Sequence, residues 1–289
     1  MNPPRHPLFA ARLQLLGAAV LFSTGGAAIK ACALDGWQVA CFRAGIAAIV
    51  VAAILPHSRR GWTWRTAVVG AGYAVTVILF VQANKLTTAA NTIFIQSASP
   101  LFIAALGPWL IGERVRRRDV PFMAALIAGL ALFFAGVPAQ SATAPDPRLG
   151  NALAAVSSFT VALMMMGLRW LGRTDGGAGA VVMGNAIAFL VALPFALPVV
   201  ARPVDMALLA YLGVFQIGIA YVLVLSALRR VSALEAALLL MVEPVLNPLW
   251  AWLLHGEEPG VLALLGGAII LGATAWKTLG DARNESVVL

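Results

Sequence analysis

Apolar runs of roughly 20 residues recur along the whole chain, each closed by a short polar or Gly/Pro-bearing break. An α-helix rises about 1.5 Å per residue, so a run of that length crosses the roughly 30 Å hydrocarbon core of a bilayer. The pattern predicts ten spanning helices, over 13–31, 37–55, 66–84, 88–110, 119–137, 149–170, 178–200, 206–227, 232–254 and 259–279. The breaks carry turn and charge signals: Pro56-His57-Ser58-Arg59-Arg60, Arg116-Arg117-Arg118-Asp119, Asp175-Gly176-Gly177 and His255-Gly256-Glu257-Glu258-Pro259. The stretch 138–148 is polar and Pro-bearing and reads as a linker. It divides the chain into a first half, 1–137, and a second, 149–289. The first run begins near Leu13 without a convincing cleavage pattern, so it is expected to be a retained span.

The halves resemble each other. An offset of 144 residues lays Pro100 on Pro244, Gly112-Glu113 on Gly256-Glu257, Ala83 on Ala227, Lys85 on Arg229, Ala89 on Ala233 and Gly136 on Gly280. A Pro inside a helix, followed twelve positions later by Gly-Glu at the helix end, occurs in both halves. Five helices per half is an odd number, so the second half must enter the membrane inverted. The expected fold is therefore all-α integral membrane, with ten transmembrane helices as two inverted five-helix repeats. Inverted repeats let one central site face either side of the membrane in turn.

Composition sharpens this picture. The chain of 289 residues is 61% hydrophobic and 11% charged, against about 25% charged for a soluble domain. The net charge of +8 does not point to nucleic acid, because the cations sit between the apolar runs. With the N-terminus placed inside, Arg5, Arg12, Arg59, Arg60, Arg65, Arg114, Arg116, Arg117, Arg118, Arg169, Arg173, Arg229, Arg230, Lys277 and Arg283 all fall on that side. Lys30, Lys85, Arg148 and Arg202 fall on the other, and only Arg43 is left inside a span. That is the positive-inside asymmetry of a multi-pass protein with both termini cytoplasmic. Cys32 and Cys41 are too few for a disulfide framework, and Cys41 falls within a predicted helix. Trp37, Trp62, Trp64, Trp109, Trp170 and Trp276 lie near span ends, as aromatic belts do.

At Phe42-Arg43-Ala44-Gly45, Ser99-Pro100-Leu101-Phe102, Glu243-Pro244-Val245 and the two Gly-Glu helix ends, the chain resembles the EamA-type transporters of the drug/metabolite transporter superfamily. In size and pattern it is also similar to the bacterial aromatic amino acid exporters of that family. The resemblance covers nearly the whole chain. It implies a central cavity built by helices 1–4 and 6–9, with helices 5 and 10 in support, and export of small organic molecules such as amino acids, nucleobases, other metabolites or drugs.

Polar residues within spans face the bundle or a water-filled path. Thr92, Gln96 and Ser99 form one stripe on helix 4, and Glu243, Asn247 and Trp250 another on helix 9. Both surround the paired prolines, Pro100 and Pro244, each of which removes a backbone N–H and forms a natural hinge. The plainer reading of these stripes is interhelical hydrogen bonding. Glu243 is the one acidic residue near mid-membrane. It is expected to pair with Arg43, or to attract a substrate ammonium, or to carry a proton. Further cavity candidates are Ser23 and Thr24 before Gly25-Gly26, Tyr73 and Phe80 on helix 3, Ser158 on helix 6 beside a run of methionines, and Gln216 and Tyr221 on helix 8. Each taken singly reads as packing before ligand contact.

Other classes fit less well. An enzyme needs a reactive pair or metal ligands, yet His6, His57 and His255 fall in predicted loops and no HExxH or GxSxG occurs. A channel would repeat charged rings or a Gly-rich filter. No GxxxxGK[ST] loop is present, so transport is expected to be secondary or facilitative and not ATP-driven; no cofactor and no metal are expected. The expected partners are a small-molecule substrate and the lipid bilayer of a bacterial inner membrane, with the monomer as the unit and no nucleic acid.

Overall fold

The structure is a computed structural model that describes residues 5–110, 112, 119–171, 176–231 and 233–286. Its apolar helices are α1 (Leu8–Ala31), α2 (Gly36–Ile54), α3 (Trp64–Leu86), α4 (Ala89–Leu110), α5 (Asp119–Ala135), α6 (Pro147–Leu171), α7 (Gly177–Ala196), α8 (Pro203–Ala227), α9 (Glu235–His255) and α10 (Val261–Gly280). Among the described residues, nine are long and apolar enough to cross a membrane, and α5, with 17 residues, is the short tenth. Their number and order agree with the hydropathy pattern. Glu113, Arg114, Arg116, Arg117, Arg118 and Arg173 lie outside the described residues.

Local chemistry sets the boundaries. Asp35 accepts from the N–H groups of Trp37 and Gln38 and opens α2 with a capping box. Thr63 does the same for α3. Gly112 (φ 71°) and Gly256 (φ 64°) take the left-handed conformation, and Gly256 closes α9 as its C-cap. The predicted span 178–200 overran: α7 stops at Ala196, ahead of Pro198, and α8 starts at Pro203, where a missing N–H costs nothing.

Two pairs of charges fix how the bundle is strung. Arg12 at the start of α1 pairs with Glu235 at the start of α9. Lys30 near the end of α1 pairs with Glu257 just past α9 at 2.8 Å. These helices therefore run parallel. Glu257 also accepts from the N–H of Ala89 at 3.0 Å, so the start of α4 meets the end of α9 and those two run antiparallel. α4 and α9 are the positions related by the internal repeat, and opposite directions are what inversion requires.

Both helices are broken at the same repeat position. Turns interrupt α4 at Ser97-Ala98 and α9 at Met241, and Ser97 and Met241 are one repeat offset apart. α1 is interrupted at Thr24, and residues Leu212–Ile219 of α8 are π-helical. Pro100 leaves the carbonyl of Gln96 without its helical partner, and Ser158 on α6 fills the gap with an O–H donated at 3.1 Å.

Close helix contacts depend on glycine at a few seams. A Cβ added to Gly213 on α8 would stand 2.5 Å from Ile46 Cβ on α2 and 2.9 Å from the carbonyl of Arg43. The backbone that carries Arg43 is thus held directly against α8. Gly213→Val is expected to destabilise the protein by about 1–3 kcal/mol through overpacking, read as a lowered midpoint of thermal unfolding in detergent. Gly72→Ala, where a Cβ meets nothing within 4 Å, should not lower it.

Candidate functional site: a central cavity sealed at one end

A cavity of about 370 Å³ occupies the centre of the bundle, within the roughly 300–1,000 Å³ range of small-molecule sites. Its walls come from α1, α2, α3, α4, α6, α8, α9 and α10. This departs from the expected set in two ways: α10 contributes Leu271 and Thr274, and α7 contributes no wall residue. α7 instead acts from behind, where Asn185 donates to Tyr73 Oη at 3.1 Å and fixes that ring.

The aromatic wall is one connected surface. Tyr221 packs edge-on against Phe22 at 5.1 Å and against Tyr73 at 5.6 Å. The Arg43 guanidinium lies 5.9 Å from the centroid of Phe80. Gln96 donates to Ser157 Oγ at 2.7 Å, which ties α4 to α6.

The expected candidates divide into two groups. Tyr73, Phe80, Gln96, Ser99, Gln216, Tyr221, Glu243, Pro100, Pro244 and Arg43 all line the cavity. Ser23, Thr24, Thr92, Ser158, Asn247 and Trp250 do not. Ser23 accepts from Trp250 Nε1 at 2.9 Å. Thr24 sits 2.9 Å from Tyr211 Oη. The hydroxyl of Thr92 turns back to Thr88 O, and Ser158 serves the Gln96 carbonyl. Asn247 is wholly buried, with neither amide atom partnered among the described residues. These side chains act in packing between the cavity and the Lys30 end.

The expected ion pair between Arg43 and Glu243 does not form. Arg43 Nη1 donates instead to Gln216 Oε1 at 3.5 Å, and Arg43 Nε has no partner among the described residues. The reason is architectural: α2 packs on α3, α7 and α8 but not on α9. The guanidinium and the carboxylate therefore stand on different walls with the cavity between them. Tyr221 is an electrostatic neighbour of both. Among the described residues, the Glu243 carboxylate has neither an ion-pair nor a hydrogen-bond partner.

Towards the Lys30 end the bundle is closed by polar contacts that the sequence pattern did not reveal. Lys30 and Glu257 are 2% and 5% exposed at their side chains. Lys30 also donates to the carbonyls of Thr87 and Thr143 at 2.8 and 2.6 Å. Lys85 donates to Cys32 O at 2.6 Å, and His255 Nε2 lies 2.8 Å from Ala27 O. Asn151 accepts from both Thr87 and Asn91 at 2.8 and 3.0 Å. Towards the Arg12 end the two broken helices diverge to different neighbours. Residues 99–110 of α4 find their partners on α5 and α6, whereas residues 233–240 of α9 find theirs on α1 and α10. Among the described residues no cluster of His, Cys, Asp or Glu could hold a metal.

Comparison with known proteins places this geometry. The profile of the EamA-like transporter family matches residues 10–135 and again 148–278, so the two halves are duplicates of one unit. An uncharacterised protein of Pseudomonas aeruginosa is 31% identical over 98% of this chain and 99% of its own length. An uncharacterised transporter of Archaeoglobus fulgidus is 27% identical over 94% of this chain and 96% of its own. A solved structure, described only as the crystal structure of a protein, superposes with a TM-score of 0.64. It covers 95% of this chain and 98% of that one at 24% identity, which shows the shared fold.

The Lys30–Glu257 pair yields a direct test. Removing one partner of a buried pair strands the other charge and costs about 3–5 kcal/mol. Lys30→Met and Glu257→Gln are each expected to lower the unfolding midpoint in detergent. The double variant should be clearly less damaged than the sum of the two. Additive losses would mean that the charges do not interact.

Proposed function

We propose a function from one premise: the chain belongs to the EamA-like transporter family. Within that family we read it as a secondary or facilitative exporter of small organic metabolites, with amino acids bearing aromatic or hydrophobic side chains as the substrates. The observation that carries the reading is the charge layout of the cavity. One guanidinium and one carboxylate stand on different walls without pairing, and aromatic rings line the space between. A zwitterionic amino acid offers the complementary set: a carboxylate for Arg43, an ammonium for Glu243, and an apolar side chain for Phe22, Phe80 and the methionines of α6. Each contact is a charge-assisted hydrogen bond in surroundings of low dielectric, where such bonds are strong. A ligand that supplies both charges removes the cost of two unpaired ions in a span.

The movement we assign is alternating access between two inverted units, 1–137 and 149–289, joined by the linker 138–148. The shut Lys30 end, and the divergence of the two broken helices towards the Arg12 end, support a state open towards the Arg12 side. The asymmetry of Lys and Arg between the loops supports a cytoplasmic Arg12 side, both chain ends inside, and residence in a bacterial inner membrane. Pro100 and Pro244, each beside a broken turn, are the hinges at which the half-helices swing. No partner subunit enters this scheme.

Counterflow in liposomes tests the reading. Vesicles preloaded with unlabelled phenylalanine, leucine or tryptophan are expected to accumulate the labelled amino acid, and protein-free vesicles are not. Arg43→Gln is expected to raise the KM for amino acids by about ten- to a hundredfold, the loss of one charge-assisted contact of about 1.5–3 kcal/mol. Counterflow with nucleobases or an apolar cation, and none with amino acids, would overturn the substrate class.

A further inference from the structure

We propose that a recess between the ends of α2 and α8, on the Arg12 side, binds the phosphate of an anionic phospholipid. The recess holds about 180 Å³ and is lined by Leu55, His57, Leu225, Ser226, Arg229 and Arg230. It shares no wall residue with the central cavity. Its place follows from the seam between the two helices. Gly213 lies against Ile46, and a little over one turn on, a Cβ on Gly218 would stand 2.7 Å from Val50 Cγ1. About two turns further along α8 neither helix carries a glycine, and there the recess opens.

The chemistry of the walls selects an anion. Two guanidinium groups and an imidazole meet here from both repeat units. His57 comes from the 3-10 turn after α2 (Pro56–Arg59), and Arg229 and Arg230 from the chain just past α8. Among the described residues no carboxylate shares the walls. Arg229 Nη2 lies 3.4 Å from His57 Nε2. A guanidinium only donates, so the ring nitrogen is the acceptor, and the contact holds Arg229 at the boundary between the units. Ser226 adds a hydroxyl. The planar fork of a guanidinium matches paired phosphate oxygens. Not every cation at this end has that placement: Arg59 donates to the Ala52 carbonyl and closes α2.

The surface beside the recess favours a lipid over a free phosphate. Leu55 and Leu225 form apolar walls. Their neighbours along the chain, Ile54 and Leu228, are 48% and 45% exposed, and Ile49 of α2 is 72% exposed. These side chains stand on or beside spanning helices, where acyl chains are the solvent. A phospholipid supplies both parts, a phosphate at the interface and apolar chains along α2 and α8. Basic recesses between helices take anionic headgroups in this way. One wall comes from each repeat unit, so a seated headgroup ties the units together at the end opposite the Lys30–Glu257 pair.

Retention of phosphatidylglycerol by the delipidated full-length protein in nonionic detergent, counted by native mass spectrometry, tests the site. A single copy is expected to be held saturably. Arg229→Gln with Arg230→Gln is expected to weaken it by about tenfold or more. Ser226→Trp, which fills the recess and keeps both arginines, is expected to do the same. Arg60→Gln with Arg65→Gln removes equal charge at the same end from residues outside the recess, and should change the affinity by about twofold at most. No saturable retention by the parent protein overturns the proposal. Equal weakening by the two double variants overturns it as well, by reducing the binding to diffuse attraction. Phosphatidylcholine held as tightly would overturn the anionic requirement. Displacement of the lipid by inorganic phosphate at equal concentration would make the occupant a soluble anion and overturn the lipid. Should the Arg229/Arg230 variant fail to fold, Ser226→Trp decides alone, and unweakened binding in it overturns the site.

Discussion

Inside a bilayer there is no water to solvate a polar group, so each one must find its partner in the bundle or in something the bundle admits. The two ends of this protein meet that demand differently. At the Lys30 end the buried charges have protein partners. Lys30 is held by Glu257 and two carbonyls, and Glu257 in turn holds the first N–H of α4. That closed set of contacts ties α1, α4 and α9 together across the boundary between the halves, and it makes a barrier. In the middle of the bundle the demand goes unmet at Glu243 and, at its Nε, at Arg43, whose helices do not pack on each other. Unmet demand there is what distinguishes a receptive cavity from a packed core.

Much of this architecture is legible in the residues. Ten apolar runs gave the helix count because nothing but a helix lets so long an apolar stretch satisfy its own backbone in lipid. The Pro100/Pro244 coincidence located the two broken helices, and the breaks fall at equivalent residues, Ser97 and Met241. Gly112 and Gly256 read as helix ends, and both are left-handed. Among the site candidates, those on the cavity side of the breaks, such as Gln96 and Glu243, line the space, whereas Thr92, Asn247 and Trp250 do not. Helical periodicity assigns a residue to a face. It does not say how deep the opening in front of that face extends.

The misjudged pairing of Arg43 with Glu243 has the same origin. Hydropathy shows that each is the lone ion of its sign in mid-membrane, and lone opposite ions invite pairing. Which helices are neighbours is decided by packing, and α2 is kept away from α9 by its contacts with α3, α7 and α8. The pair that does form, Lys30–Glu257, was hidden for the opposite reason. Both residues sit at helix ends, where charges ordinarily meet solvent, and only the folded chain covers them with the loop that contains Thr143. Small-residue seams such as Gly213 against Ile46 were equally silent, since a glycine in an apolar run does not announce which helix it will press against.

The hydroxyl that Ser158 extends to the Gln96 carbonyl makes the twin bends unequal. The matching carbonyl in the second unit, that of Leu240, receives no side-chain donor among the described residues. One bend is tied by a side chain to a neighbouring helix and the other is not, like two springs of different stiffness set back to back. If the two units move as proposed, such a mismatch sets a resting posture, and their two strokes differ in cost although each unit is a copy of the other.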